Sequence, residues 1–154
     1  MENLGLMEIF MRCDCLCGQV EFEIIGDIPN LYQCHCSLCR KQGGSSSNTA
    51  TVIGRENFRW LSGQEHISSW VKDNGFRSDF CSKCGTPVPN PLGSAPFYWV
   101  PAGLFGEEVK SSIVAHLFVG SKALWDGISQ PGKQYETMPC LSEVIELLQS
   151  DGHV

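Results

Sequence analysis

The chain has 154 residues, of which 42% are hydrophobic, and a formal net charge of -6. This length fits one ordinary domain, which buries a core without needing a metal ion to compensate for small size. The acidic balance and the absence of a basic run argue against nucleic acid as a partner. No segment is apolar enough to cross a bilayer, and the start lacks the basic and apolar regions of a secretory signal. A cytoplasmic location is therefore expected.

The 16 glycines and 8 prolines predict many turns and short strands, and so a mainly β fold of short antiparallel strands. Residues 1–12 have no clear period and are assigned to an N-terminal extension. Residues 13–25 alternate between apolar and polar side chains, which predicts one half-buried strand. Side chains two apart share a face of a strand, so Cys15 and Cys17 are expected to point the same way.

Further along the chain, residues 43–47 are rich in glycine and serine and predict a loop. Strands are predicted for five later segments: 49–53, 58–61, 67–71, 97–100 and 113–119. The last element has a different period, because apolar residues recur at helical spacing from Leu141 to Leu148. This pattern predicts an amphipathic helix over 141–150, with Gly152 as its stop signal. Residues 140–154 are accordingly assigned to a C-terminal helical extension.

Seven of the nine cysteines fall into three tight groups. The groups are Cys15 and Cys17 as CxC, Cys34, Cys36 and Cys39 as CxCxxC, and Cys81 and Cys84 as CxxC followed by Gly85. In a reducing compartment such spacings are typical of zinc thiolate ligands rather than of disulfides. A closed zinc site takes four protein ligands, so two closed sites would need eight. Seven cysteines leave one coordination position free.

The simplest pairing joins the two groups of two, so that Cys15, Cys17, Cys81 and Cys84 form a closed structural zinc site. Cys34, Cys36 and Cys39 would then hold a second zinc with its fourth position open, which is typical of a catalytic zinc. His35 is the competitor for that position, although alternation directs its side chain away from Cys34 and Cys36. It can instead contact a ligand or pack in the core. Cys13 is expected to be an unligated thiol.

Three segments carry a resemblance to a known family: CLCG at 15–18, CHCSLCRK at 34–41 and FCSKCGTP at 80–87. With the segment from His116 to Trp125, they resemble the glutathione-dependent formaldehyde-activating enzyme family, also called the CENP-V/GFA family. The resemblance spans about residues 13–139, which we take as the zinc domain. Cys13 stands where the family usually has glycine.

The resemblance implies a mainly β, Mss4-like fold and two zinc ions per chain, held by the seven cysteines in the pairing given above. It also implies formation of S-hydroxymethylglutathione from glutathione and formaldehyde, the activity of a carbon–sulfur lyase. The expected partner is a small thiol such as glutathione, and no membrane partner is expected. The sequence indicates no oligomeric state. No general base can be singled out.

For the mechanism, we expect the thiol to occupy the open position at Cys34, Cys36 and Cys39 as a thiolate that attacks or releases an aldehyde carbon. Arg40 and Lys41 follow the last of these cysteines and are candidates for binding a substrate carboxylate, the alternative being solvated surface charges. Closure of the loop at 40–48 would exclude water. Cys140 and the four tryptophans are expected in the core.

Two other classes of function remain open. In the first, both zinc sites only shape a β scaffold that binds a partner, and an internal ligand such as His35 completes the second site. In the second, the chain is a thiol redox or metal-buffering protein, which predicts labile zinc and ready oxidation of Cys34 to Cys39.

Overall fold

The computed structural model describes residues 9–150 of the chain. Within this range the strands are β1 (Phe10–Asp14), β2 (Glu21–Ile25), β3 (Leu31–Cys34), β4 (Asn48–Gly54), β5 (Phe58–Ser62), β6 (Ile67–Val71), β7 (Arg77–Cys81), β8 (Asn90–Pro91), β9 (Phe97–Pro101), β10 (Ile113–Leu117) and β11 (Lys133–Gln134). The α-helices are α1 (Ser37–Gly43) and α2 (Leu141–Gln149). The predicted mainly β fold with a short C-terminal helix is confirmed.

The single strand predicted for residues 13–25 is wrong at its centre. The chain leaves β1 after Asp14, turns through residues 15–18 and enters β2 at Glu21. Gly18 has a φ of +81°, a conformation that glycine adopts without steric cost, and its N–H bonds to the Cys15 carbonyl over 2.9 Å. Residues 10–12, assigned to the N-terminal extension, belong to β1, whereas residues 1–8 and Gly152 lie outside the described residues.

The largest sheet has six strands in the order β11-β10-β3-β4-β9-β8. Strand β10 pairs in parallel with β3 and β11, and the other pairs are antiparallel. Cys34 lies opposite Leu117 on one side and Asn48 on the other, while Trp99 lies opposite Asn90. Because paired residues point to the same face of a sheet, these side chains share a face with Tyr32, two residues before Cys34.

The two faces of this sheet pack against different elements. Helix α2 covers part of the face that carries Cys34, since Val144 and Leu148 belong to the same core cluster as Tyr32 and Leu117. Strands β1, β2 and β5 form a three-stranded sheet. Its buried residues join side chains of β4 and β9 in a second core, which contains Phe22, Ile24, Ile53, Phe58 and Val100.

Strands β6 and β7 form a separate two-stranded sheet. Phe80 of β7 makes a bridge to Pro87, and Val88 bonds to Asp79. The hairpin leads directly into the CxxC segment at residues 81–84, because Cys81 is the last residue of β7. Among residues 9–150, no helix combines the length and the apolar composition needed to span a membrane.

Candidate metal centres and the adjoining pocket

The CxC segment forms a tight knuckle between β1 and β2. The N–H of Cys15 donates to the Val20 carbonyl over 3.0 Å, and the Val20 N–H reaches the Cys15 sulfur at 3.3 Å. Gly18 closes the turn onto the Cys15 carbonyl. Backbone bonds and a positive-φ glycine, rather than strand alternation, therefore bring Cys15 and Cys17 to the same side, with their sulfur atoms 3.7 Å apart.

The CxxC segment forms a second knuckle of similar design after β7. Gly85 has a φ of +81° and donates its N–H to the Cys81 carbonyl over 2.7 Å. Cys81 is fully buried, and its own N–H bonds to the Thr86 carbonyl. The two knuckles face each other, since the sulfur atoms of Cys17 and Cys81 are 3.8 Å apart.

Together these residues form what we call the four-thiol cluster: Cys15, Cys17, Cys81 and Cys84. A tetrahedral zinc ion with zinc–sulfur bonds of about 2.3 Å places its sulfur ligands about 3.8 Å apart. The separations of 3.7 and 3.8 Å match this value. The donor set and its spacing therefore fit zinc.

Thr86 links the two knuckles, a role that the sequence patterns do not reveal. Its hydroxyl oxygen accepts the Leu16 N–H over 3.1 Å and lies 3.2 Å from the Cys84 sulfur. The hydroxyl can donate to that sulfur, and this hydrogen bond lowers the pKa of Cys84 to about 6. One side chain thus stabilises a thiolate in one knuckle and binds the backbone of the other.

The CxCxxC segment joins β3 to α1 and forms what we call the three-thiol cluster. Cys34 is the last residue of β3, Cys36 caps the N-terminus of α1, and Cys39 lies within the helix. The Cys36 sulfur accepts the Cys39 N–H over 3.3 Å, as an N-cap side chain does. The three sulfur atoms lie within 4.8 Å of one another, so they can hold one metal ion.

Hydrogen bonds within the three-thiol cluster favour one thiolate. Bonding with Cys34 lowers the pKa of Cys36 to about 2, and bonding with Cys36 raises the pKa of Cys34 to about 11. The pKa of Cys39 is likewise raised by its bonding with Cys34 and Cys36. Cys36 is thus the thiolate that its two neighbours stabilise, and metal binding would displace their protons.

A pocket of about 440 Å³ adjoins the three-thiol cluster, with Cys34 and Cys39 among its lining residues. Tyr32, Leu117 and Trp99, from the same face of the six-stranded sheet, line it as well. The hairpin of β6 and β7 contributes residues from its tip. This volume lies within the range of small-molecule sites. The four-thiol cluster contributes no residue to the pocket.

The predicted carboxylate-binding pair lies outside this pocket lining. Arg40 and Lys41 belong to α1, and Lys41 is exposed. The Arg40 Nε is buried, and it has no hydrogen-bond partner among the described residues. The predicted mobile loop at 40–48 is also shorter than expected, because α1 continues to Gly43. The cation that lines the pocket is Arg77, which sequence reasoning missed.

His35 points away from the cysteines on either side of it and lies in a buried chain of polar groups. Its Nε2 is 2.9 Å from Nδ1 of His116, and its Nδ1 is 3.3 Å from a carboxylate oxygen of Asp126, to which it makes no hydrogen bond. The His116 Nε2 lies 3.0 Å from two carbonyl oxygens, those of Gln130 and Pro131, so this nitrogen carries a proton and donates. His116 therefore accepts from His35. Burial lowers the pKa of His35.

The remaining cysteines and tryptophans depart in part from expectation. Cys13 is buried and belongs to neither thiol cluster, and burial raises its pKa to about 12. Cys140 was expected in the core but is exposed, because it precedes α2 as its N-cap. Trp70 and Trp125 are also exposed rather than buried, by 54% and 73%. Trp99 lines the pocket.

Comparison with known proteins agrees with these features. A family model described as glutathione-dependent formaldehyde-activating enzyme matches residues 10–121. Two curated relatives are named "Putative glutathione-dependent formaldehyde-activating enzyme". The relative from Halomonas elongata is 31% identical over 86 residues, which cover 52% of this chain and 55% of the relative. The relative from Colletotrichum graminicola is 26% identical over 96 residues, 58% of this chain and 50% of the relative.

The chain thus spans about half the length of the curated relatives it matches. Among solved structures, a crystal structure of a Rhodobacter sphaeroides protein superposes with a TM-score of 0.52 at 27% sequence identity. The superposition covers 64% of this chain and 90% of that protein. Nearly all of that protein therefore shares its fold with the matched part of this chain.

Proposed function

Since the chain belongs to the glutathione-dependent formaldehyde-activating enzyme family, we propose that it is a zinc-dependent carbon–sulfur lyase acting on a glutathione-type thiol and a small aldehyde. The observation that supports this most is the contrast between its two thiol clusters. Four thiols close one cluster, whereas the other has three and adjoins a pocket of about 440 Å³. Three protein ligands beside a pocket are typical of a catalytic zinc site.

In the proposed reaction the thiol sulfur forms a bond to the carbonyl carbon. The π electrons of the carbonyl group move to its oxygen, which takes up a proton to replace the one that the thiol has lost. Zinc bound at Cys34, Cys36 and Cys39 would lower the pKa of the substrate thiol and so supply the thiolate. The product with formaldehyde is S-hydroxymethylglutathione, and no oxidant or reductant is needed.

The protein holds the ligand cysteines in place and provides an apolar surface beside them. Cys36 is held in place as the N-cap of α1, and Cys34 by the pairing of β3 with β4 and β10. Tyr32 and Leu117 are buried beside Cys34 and give the pocket an apolar floor. For Arg40 and Lys41 we retain the role of binding a carboxylate of the thiol substrate. They lie in the helix that carries Cys39, outside the pocket lining.

The optical spectrum of cobalt-substituted protein tests this proposal. Cobalt bound by thiolates has charge-transfer and ligand-field bands that report its coordination. We expect glutathione to change the bands of about half of the bound cobalt in a saturable way. S-Methylglutathione, which lacks the free thiol, is the matched control and should leave them unchanged. No response to glutathione would contradict the proposal and favour a non-catalytic, zinc-stabilised binding module.

A further inference from the structure

The pocket beside the three-thiol cluster is far larger than formaldehyde requires. Its volume is about 440 Å³, in the range that holds whole organic ligands. A one-carbon aldehyde would leave most of this space to water. The size of the pocket therefore calls for a larger occupant.

Most of the pocket wall is apolar. Its aromatic members are Tyr32, Phe76 and Trp99, and aliphatic side chains such as Leu92, Leu117 and Met138 complete it. Tyr32 and Leu117 belong to the hydrophobic core, and Leu92 and Trp99 pack against that core. Walls supported in this way can hold a flat apolar group through area burial and ring contacts.

The charges in the pocket do not match the peptide part of glutathione. That molecule carries two carboxylates and an ammonium group, but no acidic residue lines the pocket. The cation that lines it, Arg77, already makes a two-point ion pair with Asp79, over 2.8 and 3.0 Å. Burying unmatched charges is costly. The peptide part of the thiol substrate is therefore better placed outside the pocket, near α1.

The polar groups of the pocket fit a neutral ligand. The Gln42 amide already bonds to Asn48 over 2.6 Å and to Ser78 over 3.2 Å. Asn90, opposite Trp99, is only 5% exposed and makes no side-chain hydrogen bond within the described part of the chain. Its amide is therefore free to bond to an oxygen atom of a ligand.

We propose that this pocket binds the carbon skeleton of an aldehyde bearing an apolar, ring-sized substituent, so that the enzyme forms hemithioacetals from aldehydes larger than formaldehyde. The inference rests on the proposed function, because it assigns the second substrate of the same reaction. The thiol sulfur bonds to the aldehyde carbon and the carbonyl oxygen gains a proton, as with formaldehyde. Only the substituent on the carbon differs.

The test compares phenylacetaldehyde with acetaldehyde, since the two differ only by the phenyl ring. Exchange NMR with glutathione measures hemithioacetal formation above the spontaneous rate. We expect kcat/KM to be at least tenfold higher for phenylacetaldehyde, the scale on which apolar pockets discriminate. Equal values, or a preference for formaldehyde alone, would overturn the inference while leaving the proposed function intact. If the protein accelerates the reaction of none of these aldehydes, that result would instead count against the proposed function.

Two variants locate the effect in the pocket. Trp99→Leu should reduce the preference for phenylacetaldehyde at least fivefold. Trp70→Leu is the matched control, because Trp70 is 54% exposed and lies outside the pocket lining, and it should leave the preference unchanged. If Trp99→Leu does not fold, Val71→Trp replaces it. Val71 lines the pocket but is 56% exposed, so a larger side chain there narrows the pocket without disturbing the core.

A binding measurement completes the test without relying on catalysis. Saturation-transfer NMR should detect saturable binding of 2-phenylethanol, which has the ring but no aldehyde, to wild-type protein and to Trp70→Leu. The signal should fall at least fivefold in Trp99→Leu. Displacement of 2-phenylethanol by S-methylglutathione would overturn the inference, because it would identify the pocket as the site of the thiol substrate.

Discussion

The two thiol clusters differ in how much of the chain they join. The four-thiol cluster connects Cys17 with Cys81, which are 64 positions apart, and includes the fully buried Cys81. The three-thiol cluster lies within six consecutive residues, 34–39, at the end of one strand and the start of one helix. A metal ion in the first fixes two distant segments, whereas one in the second fixes a short segment beside a pocket. This contrast favours a structural role for the first cluster and, under the proposed function, a catalytic role for the second.

The largest expected effect follows from breaking the four-thiol cluster. Cys81→Ser should lower the free energy of unfolding by about 4 kcal/mol, because loss of a metal site releases two segments of the core. For a chain of this size that corresponds to a fall in Tm of about 12 °C. Cys39→Ser in the three-thiol cluster should cost only about 1 kcal/mol. Thermal unfolding of the two variants measures the difference, and equal losses would contradict the division of roles.

Metal removal should separate the clusters in time. A chelator should extract one metal ion per chain first, from the site with three protein ligands, and activity should fall with it. Near-UV circular dichroism should stay unchanged during this phase and be lost when the second metal leaves. Simultaneous loss of both metals would contradict the comparison and favour the metal-buffering alternative. The absorbance of a chromogenic chelator measures the metal released per chain, and samples taken at the same times are assayed for activity.

A smaller effect is expected from Thr86, which links the knuckles of the four-thiol cluster. Thr86→Val keeps the shape of the side chain but removes the hydroxyl between Leu16 and Cys84. We expect Tm to fall by about 3 °C and the slow phase of metal release to accelerate. Thr49→Val is the matched control, because that hydroxyl accepts a hydrogen bond from Gln33 in the six-stranded sheet and makes no hydrogen bond to the four-thiol cluster. A similar acceleration in the control would show that Thr86 has no special role.

Much of this comparison could be predicted from the sequence, because it depends on local spacing. The CxCxxC and CxxC motifs place their sulfur atoms through short turns, and the strands at 49–53 and 67–71 follow from apolar pattern and turn residues. The helix over 141–150 follows from the spacing of Leu141, Val144 and Leu148. In each case the information lies within about ten neighbouring residues.

What the sequence did not predict depends on contacts between distant residues. In the sequence, residues 15–18 continue the alternation of a strand. In the structure they form a knuckle, which the hydrogen bond from the Gly18 N–H to the Cys15 carbonyl closes. Strand pairing brings Trp99 to the face that carries Cys34, and packing of the hairpin of β6 and β7 beside β8 brings Arg77 to the pocket. No local pattern encodes either arrangement. The contact of His35 with His116 spans 81 positions. Such residues are found only when the sheet order is known.

The smallest expected effect distinguishes the two basic residues that follow the three-thiol cluster. Arg40 has a buried Nε without a hydrogen-bond partner in the described part of the chain, whereas Lys41 is exposed. A buried donor without a partner is unfavourable, and a substrate carboxylate at this position would satisfy it. Arg40→Ala should therefore raise the KM for glutathione about fivefold, which corresponds to about 1 kcal/mol. Lys41→Ala should change KM by less than about twofold, since an exposed charge is screened by solvent.

Calorimetric binding of S-methylglutathione, which keeps both carboxylates, should show the same ratio between the two variants. If both variants bind as the wild type does, the carboxylates of the thiol lie elsewhere, and the contrast between the clusters would then rest on the metal ligands and the pocket alone.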